Sequence, residues 1–417
     1  MPRIELPHGK DVLSVDVPSE NLIGVLKGTP PPAEPLEVLF ERAWKEPIGI
    51  EDPASLLEIG ESVVLVVTDN TRPTPTREIL PLLWERLQAS VAVEDVTILV
   101  ATGTHRAPTD EELDAMLGDA RRQFRVEVHD CEMDCIEVGT SSRGNRIYLN
   151  PWVVEADHVI TVGHISMHYY AGYSGGRKNI FPGVAASSSI ERNHAMMERP
   201  ESRPCAYEGN PVNEEMVEAS RQIRYRFLVD VVLSTDGRVA KVVVGEPEAA
   251  HEVGRAFWDA HFQVPIEERA DLVIASAGGH PKDINLYQAH KGMYNAALAA
   301  RDGGLLYLVA ACSDGIGHPV FADWVEQGGS PDGVLRIYEK EGFKLGGHKA
   351  VYLAKDRKRI ELALQSELDD VVVRRFFMEP MHDPAEALAW ARTRVGETYR
   401  ALVMPHAAAT FPVFPWP

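Results

Sequence analysis

The sequence is poor in cysteine, aromatic residues and long apolar runs. Only 4 of its 417 residues are cysteines, too few for the disulfide framework of a small secreted protein. No apolar run approaches the roughly 18 residues of a membrane-spanning helix. The first residues lack the basic-then-apolar pattern of a secretory signal. The sequence therefore predicts a cytoplasmic protein.

Basic residues are also scarce relative to acidic ones. The chain has 42 Lys and Arg residues against 62 Asp and Glu residues, and a formal net charge of −20. Nucleic acids and anionic membranes attract proteins through clustered Lys and Arg side chains, so neither is expected as a partner. Apolar residues make up 45% of the chain, which is ordinary for a globular protein.

Apolar runs rich in β-branched residues alternate with helix-like segments along most of the chain. Such runs are typical of strands covered on both faces of a parallel sheet. The fold class is therefore predicted to be α/β with mostly parallel sheets. The predicted strands are residues 62–68, 95–102, 124–129, 157–162, 226–233 and 305–311, and the predicted helices are residues 77–90, 110–117 and 284–300, with residues 361–365 also helix-like.

A break near residues 263–269 divides this pattern into two α/β domains, with an active-site cleft expected between them. Residues 1–265 are predicted to form the amino-terminal domain and residues 270–395 the carboxyl-terminal domain. The last segment, residues 396–417, is rich in proline and is expected to pack back onto the first domain.

The first of three polar clusters follows the predicted strand at residues 62–68. In open parallel sheets, ligands collect at the carboxyl ends of strands. Thr74 is expected to cap a helix that begins at Pro75, which places Arg72 in the loop. The planar guanidinium of Arg72 suits a carboxylate or phosphate, although a surface pair with Asp69 is the alternative.

The second cluster surrounds His105, directly after the strand at residues 95–102. Thr109 and Glu112 have the spacing of a capping box, which predicts the start of a helix and leaves His105 in the loop. A histidine there suits general acid or base catalysis, and a structural histidine is an equally good interpretation.

The third cluster is the densest and runs from residue 163 to residue 183. Gly175–Gly176 would let backbone N–H groups approach an anion. The segment is not a Walker A motif, because Arg177 precedes Lys178 where that motif requires glycine. His164 and His168 have the spacing of a zinc pair but lack the HExxH motif.

Two further groups lie on predicted helices. Ser188 and Glu191 suggest a capping box that places His194 one turn into a helix. In the second domain Tyr287, Gln288 and Lys291 are predicted neighbours on one helix face, where a solvated surface is the simpler interpretation. His129, Cys131 and Cys135 lie close together, but their spacing is not that of a zinc ribbon, and incidental thiols are favoured.

Together, the segments DNTRP, GTHR, HYYAGYSGGRK and YQAHK, with His194 between the last two, resemble the nickel-pincer nucleotide-dependent lactate racemase family of 2-hydroxy acid racemases and epimerases. The resemblance implies a bound nickel pyridinium-3,5-bisthiocarboxylic acid mononucleotide, covalently linked to Lys178. It implies that His194 is the protein ligand of nickel. Asp69, Gly175 and Gly176 match positions at the cofactor, in a first domain that also carries the acid/base histidines.

The same resemblance implies the reaction and its partners. The enzyme would invert C2 of a 2-hydroxy acid by proton-coupled hydride transfer, which avoids placing more negative charge beside a carboxylate. The expected partners are this small acid and, transiently, the proteins that synthesise the cofactor. The implied acid/base pair is His105 and His168, and the implied substrate-binding residues are Arg72, Lys291, Tyr287 and Gln288.

Alternatives remain open. Apolar neighbours of His168 favour lactate or another short aliphatic acid, whereas a malate racemase would need an extra cation, for which Arg106 or Arg177 is available. A C2 epimerase of a sugar acid is a further possibility within the family. Outside it, His164, His168 and His194 would suit a zinc-dependent hydrolase, and Gly175–Gly176 with Lys178 would suit a non-enzymatic nucleotide-binding module.

Overall fold

A computed structural model of the chain describes residues 3–29, 31, 34–234, 236–342, 344 and 346–414. These residues fall into two compact units. The first, here called the continuous unit, is Pro31–Ala260, and the second, the split unit, combines Met1–Pro30 with His261–Pro417. None of the helices formed by the described residues is long and apolar enough to cross a membrane.

The strands and helices alternate along most of the described chain. The strands are β1 (Arg3–His8), β2 (Asp11–Asp16), β3 (Leu22–Val25), β4 (Val63–Thr68), β5 (Val96–Ala101), β6 (Arg125–Val128), β7 (Ile136–Thr140), β8 (Arg146–Leu149), β9 (His158–His164), β10 (Met167–His168), β11 (Gly172–Tyr173), β12 (Tyr225–Leu233), β13 (Val239–Gly245), β14 (Gln263–Pro265), β15 (Ala270–Ser276), β16 (Ala300–Val309), β17 (Glu361–Gln365), β18 (Glu379–Met381), β19 (Ala401–Met404) and β20 (Phe411–Val413). The α-helices are α1 (Leu36–Lys45), α2 (Thr76–Leu87), α3 (Asp110–Leu117), α4 (Ala120–Gln123), α5 (Pro151–Glu155), α6 (Arg177–Ile180), α7 (Ser187–His194), α8 (Pro211–Ser220), α9 (Pro247–Phe262), α10 (Leu286–Ala299), α11 (Pro319–Gly328), α12 (Pro331–Glu341), α13 (Gly347–Arg359), α14 (Asp370–Arg375) and α15 (Pro384–Val395).

The continuous unit contains a six-stranded sheet in the order β13-β12-β9-β4-β5-β6. All pairs are parallel except β12 with β13. Every residue of β4 and β9 is buried, as expected for central strands covered on both faces. These findings confirm the predicted α/β class with mostly parallel sheets.

The order in which the chain adds strands to this sheet changes direction between β4 and β9, which is the topological switch point of the sheet. From β4 it moves through β5 to β6, and β9 and β12 then extend the sheet on the opposite side of β4. Loops that leave neighbouring strands in opposite directions open a crevice at their carboxyl ends, and ligands of doubly wound sheets bind there. The loops after β4, β5 and β9 carry the three polar clusters of the continuous unit.

The split unit has its own six-stranded sheet, in the order β18-β17-β16-β15-β19-β3. All of its pairs are parallel. The amino-terminal strand β3 pairs with β19, and β20 pairs with β14. Asn21 strengthens the first junction, because its side-chain amide donates to the carbonyl oxygens of Glu397 and Tyr399.

This division differs from the expected domains. Residues 3–29, assigned to the first domain by sequence, pair within the split unit, and the described part of the carboxyl-terminal segment also pairs there. Residues 415–417 of that segment lie outside the described residues. The difference arises because the pairing of β3 with β19 joins the two ends of the chain, and no local pattern reports such a long-range contact.

The expected helix at residues 361–365 is wrong. The segment is strand β17, which pairs with β16 and β18 and has four of its five residues buried. A five-residue segment with three apolar residues is too short for its periodicity to separate strand from helix, and tertiary pairing decides between them.

Candidate active site

The loops after β4 and β5 bring Asp69 against His105. The Nδ1 atom of His105 lies 2.6 Å from Oδ2 of Asp69, whose other oxygen accepts a hydrogen bond from the Thr71 hydroxyl at 2.7 Å. Burial raises the pKa of Asp69, but the hydrogen bond from His105 and its charge outweigh that effect and hold the pKa below its ordinary value. The pair is thus a carboxylate that orients an imidazole through Nδ1.

Arg72 is exposed at the same loop. Its charge helps to lower the pKa values of Lys178 and His168, so it lies near both groups. The side chain of Asp69 bonds Thr71 and His105, as described above, which does not support the alternative in which Asp69 serves to pair Arg72. Arg72 therefore presents a guanidinium at the carboxyl end of the sheet.

The loop after β4 is not stabilised by the expected helix cap. Helix α2 begins at Thr76 and has no side-chain cap, whereas Thr74 was expected to cap it. The Thr74 hydroxyl instead lies 2.8 Å from the hydroxyl of Thr68 and 3.0 Å from Nδ1 of His164. Thr74 thereby joins the ends of β4 and β9.

The loop after β5 has the structure that its sequence predicts. Thr109 and Glu112 form a capping box, in which Glu112 N donates to the Thr109 hydroxyl and Thr109 N donates to the Glu112 carboxylate. Helix α3 begins at Asp110, as predicted, and His105 lies in the preceding loop. Arg106 also bonds Glu112, with both terminal nitrogens of its guanidinium.

His168 lies in a short hairpin that follows β9. Strands β10 and β11 are antiparallel, with His168 opposite Gly172. The Ala171 N–H donates to Nδ1 of His168 at 3.3 Å, so the proton of the neutral ring is on Nε2. Desolvation lowers the pKa of His168 well below its ordinary value, and the nearby cation of Lys178 lowers it further.

Lys178 is half-buried on the short helix α6. Desolvation lowers its pKa well below the ordinary value, and the charges of Arg72 and Arg177 act in the same direction. A lowered pKa makes the neutral, nucleophilic form of the amine easier to reach, which suits covalent attachment of an electrophilic group.

The rings of His168 and His194 both pack against the ring of Tyr170. The centroid of Tyr170 is 4.6 Å from that of His168 and 5.1 Å from that of His194, both edge-on. The expected capping box at Ser188 is wrong, because α7 begins at Ser187 after Ala186 and makes no side-chain cap hydrogen bond. His194 is therefore the last residue of this helix rather than one turn from its start.

The Gly175–Gly176 turn is built against Asp230. Both glycines have positive φ angles, 79° and 51°. A Cβ atom on Gly175 would lie 2.4 Å from an oxygen of Asp230, and the Gly176 N–H donates to that same oxygen at 2.7 Å. The expected phosphate contact at Gly176 is therefore not supported, since its N–H already has an acceptor within the protein.

The remaining expected site residues belong to the split unit, on helix α10. Asn285 caps this helix by accepting from Gln288 N at 3.0 Å, and Tyr287, Gln288 and Lys291 follow on its first turns. The ring of Tyr287 stacks on His318, with centroids 4.9 Å apart. Their roles in binding substrate stay a prediction.

Lys349 supports the start of α10 from helix α13. Its amine donates to the backbone carbonyl of Tyr287 and lies 4.3 Å from the centre of the Tyr287 ring. Burial lowers the pKa of Lys349 well below its ordinary value, and the charge of Lys291 lowers it further. No sequence pattern predicts this role of Lys349, because its bonded partner is a backbone atom of a distant helix.

Asp230 was also missed, although the sequence contains a signal for it. It is the one acidic residue in the otherwise apolar stretch Phe227–Leu233, and it is completely buried. Burial raises the pKa of Asp230 to about 7, against the effects of the Gly176 N–H and the charge of Arg177. A carboxyl group in a central strand has to be satisfied by hydrogen bonds, and here it supports the turn before Lys178.

A protein-only metal site is not supported. Among the described residues, no group of three or more His, Cys, Asp or Glu side chains is able to hold a metal ion. The zinc hydrolase based on His164, His168 and His194 therefore lacks its ligand set. The ring of His129, near Cys131 and Cys135, is used structurally, with its nitrogens 3.0 Å from Ala185 O and the Asn150 side-chain amide.

Known protein families and proteins are similar to this chain along most of its length. The family model described as the lactate racemase N-terminal domain matches residues 8–204, and that of the lactate racemase C-terminal domain matches residues 266–411. Lactate racemase of Thermoanaerobacterium thermosaccharolyticum is 32% identical over 428 residues, which covers 97% of this chain and 98% of that protein. Lactate racemase of Lactiplantibacillus plantarum is 33% identical over 325 residues, which covers 76% of each protein.

Solved structures are similar in the same way. The lactate racemase apoprotein from T. thermosaccharolyticum matches with a TM-score of 0.91 and 32% identity, and the match covers 99% of this chain and all of that chain. A Thermotoga maritima protein matches with a TM-score of 0.63 at 19% identity, which shows a shared fold alone.

Proposed function

Because this chain belongs to the lactate racemase family, whose members are isomerases, we propose that it inverts C2 of a 2-hydroxy acid, with lactate or another short aliphatic acid as its substrate. The observation that carries the proposal is that the imidazole of His168, and that of His105 through its partner Asp69, lie near the amine of Lys178 and the guanidinium of Arg72. These groups suit proton transfer, covalent attachment and carboxylate binding, respectively.

The two histidines start in complementary states. Asp69 accepts from Nδ1 of His105, so Nε2 of His105 carries the lone pair of a base. His168 accepts at Nδ1 from Ala171, so the proton of its neutral ring lies on Nε2, from which it can donate a hydrogen bond to a substrate oxygen. Inversion requires one group to take the hydroxyl proton on one side of the substrate and another to return a proton on the other side. His105 is placed to take the proton, and His168 returns one after it has taken up a proton and become the imidazolium.

Arg72 is proposed to bind the substrate carboxylate. Its exposed guanidinium can form two parallel hydrogen bonds to a carboxylate, which fixes the direction of the C2–O bond. Tyr287, Gln288 and Lys291 are proposed as additional substrate-binding residues from the split unit.

The other two arginines considered for the site are bonded within the protein, which supports a substrate with a single carboxylate. Arg106 forms a two-point ion pair with Glu112, and Arg177 is buried and bonded to backbone carbonyls. Neither of these two cations is presented to a second carboxylate, which disfavours the malate alternative.

The residues of the continuous unit fit the proposed nickel-pincer nucleotide in the chemistry of their donors. Lys178 supplies an amine with a lowered pKa for the covalent link, and the imidazole of His194, near Tyr170, suits nickel. When bound, this group would accept and return the C2 hydrogen with its electron pair. Proteins that synthesise the cofactor are proposed to contact the chain transiently during loading.

The test is a panel of enantiopure 2-hydroxy acids incubated with cofactor-loaded protein and followed by chiral chromatography. We expect both lactate enantiomers to racemise, and protein with Lys178→Ala, taken through the same loading procedure, to leave them unchanged. Turnover of malate or of a sugar acid in place of lactate would reject the substrate assignment. Failure to turn over any member of the panel would reject the function.

A further inference from the structure

The guanidinium of Arg177 is buried and holds the hairpin that carries His168. Its Nη2 atom donates to the carbonyl oxygens of Ala171 and Tyr173, each at 3.0 Å. These two residues flank Gly172, which pairs with His168 in the β10–β11 hairpin. Two charge-assisted hydrogen bonds therefore fix the strand opposite the proposed catalytic imidazole.

The same side chain also holds the turn that leads to Lys178. Its Nη1 atom donates to the carbonyl oxygen of Gly175 at 3.2 Å, and its Nε atom donates to Oδ1 of Asn213 at 2.7 Å. Arg177 is adjacent to Lys178 in helix α6. One rigid group thus joins the hairpin of His168 to the helix of Lys178.

The surroundings of Arg177 are built for a buried arginine. The side chain is only 3% exposed, and its guanidinium carbon lies 5.1 Å from the ring centre of Tyr207. Burial lowers its pKa to about 10, so it remains charged at neutral pH. Nη1 is also 2.9 Å from Nε2 of His251. Arg177 is thus enclosed by protein, and the extra-cation role considered for it above does not fit.

We propose that Arg177 is a positioning residue that sets the location of His168 relative to Lys178. The inference rests on the proposed function, in which His168 exchanges a proton with the substrate and Lys178 carries the cofactor that acts on the same substrate. Arginine suits this task because its planar group has five N–H donors in fixed directions, whereas the three donors of lysine rotate about one nitrogen.

The proposal predicts a specific kinetic defect in Arg177→Lys. The variant keeps a positive charge but loses the simultaneous contacts to both segments. We expect kcat per loaded site to fall by at least about tenfold, because small displacements of reacting groups are costly. The KM for lactate should stay within about twofold, since Arg72 is unchanged. Loading is measured separately, as the added mass on Lys178.

A neighbouring arginine provides the matched control. The guanidinium carbon of Arg255 lies 3.6 Å from the ring centre of Tyr207, in the same aromatic cluster. Arg255→Lys therefore perturbs the same surroundings while Arg177 keeps its carbonyl contacts, and we expect its kcat to stay within about threefold of the unsubstituted enzyme. A kcat for Arg177→Lys equal to that of the control would overturn the proposal.

A second measurement on the apoprotein separates this proposal from the proposed function. Hydrogen exchange of the peptide that covers residues 167–173 should be faster in Arg177→Lys than in Arg255→Lys, while exchange in β4 stays unchanged in both. Unchanged exchange at residues 167–173 would overturn the positioning role, even if the enzyme racemises lactate. Faster exchange there would support it, even if no 2-hydroxy acid in the panel is turned over.

Discussion

The Nδ1 atom of His105 lies 2.6 Å from the Oδ2 atom of Asp69, and the two residues follow adjacent parallel strands. The carboxylate is almost completely buried, whereas the imidazole is partly exposed. Because Asp69 occupies Nδ1, the basic Nε2 atom is the one left to act on a substrate. The sheet register of β4 and β5 thus determines which nitrogen of His105 performs the proposed chemistry.

Asp69→Asn tests this orientation. An amide presents both a donor and an acceptor to Nδ1 and removes the negative charge, so the ring loses its fixed tautomer. We expect kcat for lactate to fall about 10- to 100-fold in cofactor-loaded protein, as measured by chiral chromatography. Asn70→Ala is the control, because the side chain of Asn70 bonds Glu112 rather than His105. Equal rates for the two variants would contradict the proposed role of Asp69.

Replacement of either proposed catalytic histidine should stop racemisation in both directions. Each direction uses one ring to take the hydroxyl proton and the other to return it, so His105→Asn and His168→Asn should each lose about 10²- to 10⁴-fold in kcat. Initial rates from each pure lactate enantiomer are the measurement. His158→Asn, at the opposite end of β9, is a matched control that should retain activity. An initial rate close to that of the unsubstituted enzyme in either variant would contradict the role proposed for that histidine.

Substitution of Lys178 should abolish covalent loading. Lys178→Arg keeps a long basic side chain but replaces the amine by a guanidinium that stays protonated and is a poor nucleophile. Intact-mass measurement after incubation with the loading system should show the added group on the unsubstituted chain alone. Lys241→Arg, elsewhere in the continuous unit, controls for general effects of the substitution. Added mass retained in Lys178→Arg would place the link on another residue.

The buried carboxyl group of Asp230 should make stability depend on pH. Its pKa is raised to about 7, whereas an unfolded aspartate has a pKa near 3.8. The folded state therefore binds the proton more tightly. The resulting stabilisation is present below about pH 4 and is lost as the pH rises through about 7. The charge of Arg177 opposes this shift, and the buried phenol of Tyr225 faces the same carboxyl group.

Asp230→Asn keeps an oxygen acceptor for the Gly176 N–H but does not titrate. The Tm of the apoprotein variant, relative to that of the unsubstituted apoprotein, should therefore increase from about pH 5 to about pH 8. Differential scanning calorimetry in matched buffers provides the measurement. A constant difference in Tm across this range would show that Asp230 has similar proton affinity in the folded and unfolded states.

Much of the fold could be predicted because each central strand is a local run of apolar residues in the sequence. Five consecutive apolar residues, 63–67, are typical of a strand covered on both faces, and the capping box at Thr109 predicted the start of α3 correctly. Short elements were less predictable. The segment Glu361–Gln365 is helix-like by sequence but forms a strand, because a five-residue segment with three apolar residues fits either form until neighbouring strands pair with it.

The candidate site shows the same limit. The loop position of His105 followed from its place between a strand and a helix cap, and the structure agrees. The hydroxyl of Thr74, by contrast, could either cap helix α2 or contact a neighbouring strand. Its contact with His164 depends on a strand far along the chain. Arg177 also binds carbonyl groups, which every residue has, so no side-chain pattern identifies its partners.

The pairing of β3 with β19 affects the order in which the molecule can be completed during synthesis. Strand β3 leaves the ribosome long before its partner exists, because the whole continuous unit is synthesised between them. Ala401–Met404 then receives a neighbour made at the opposite end of the chain. A truncated product that begins at residue 266 would therefore present the backbone of that strand as an open edge, a template for self-association.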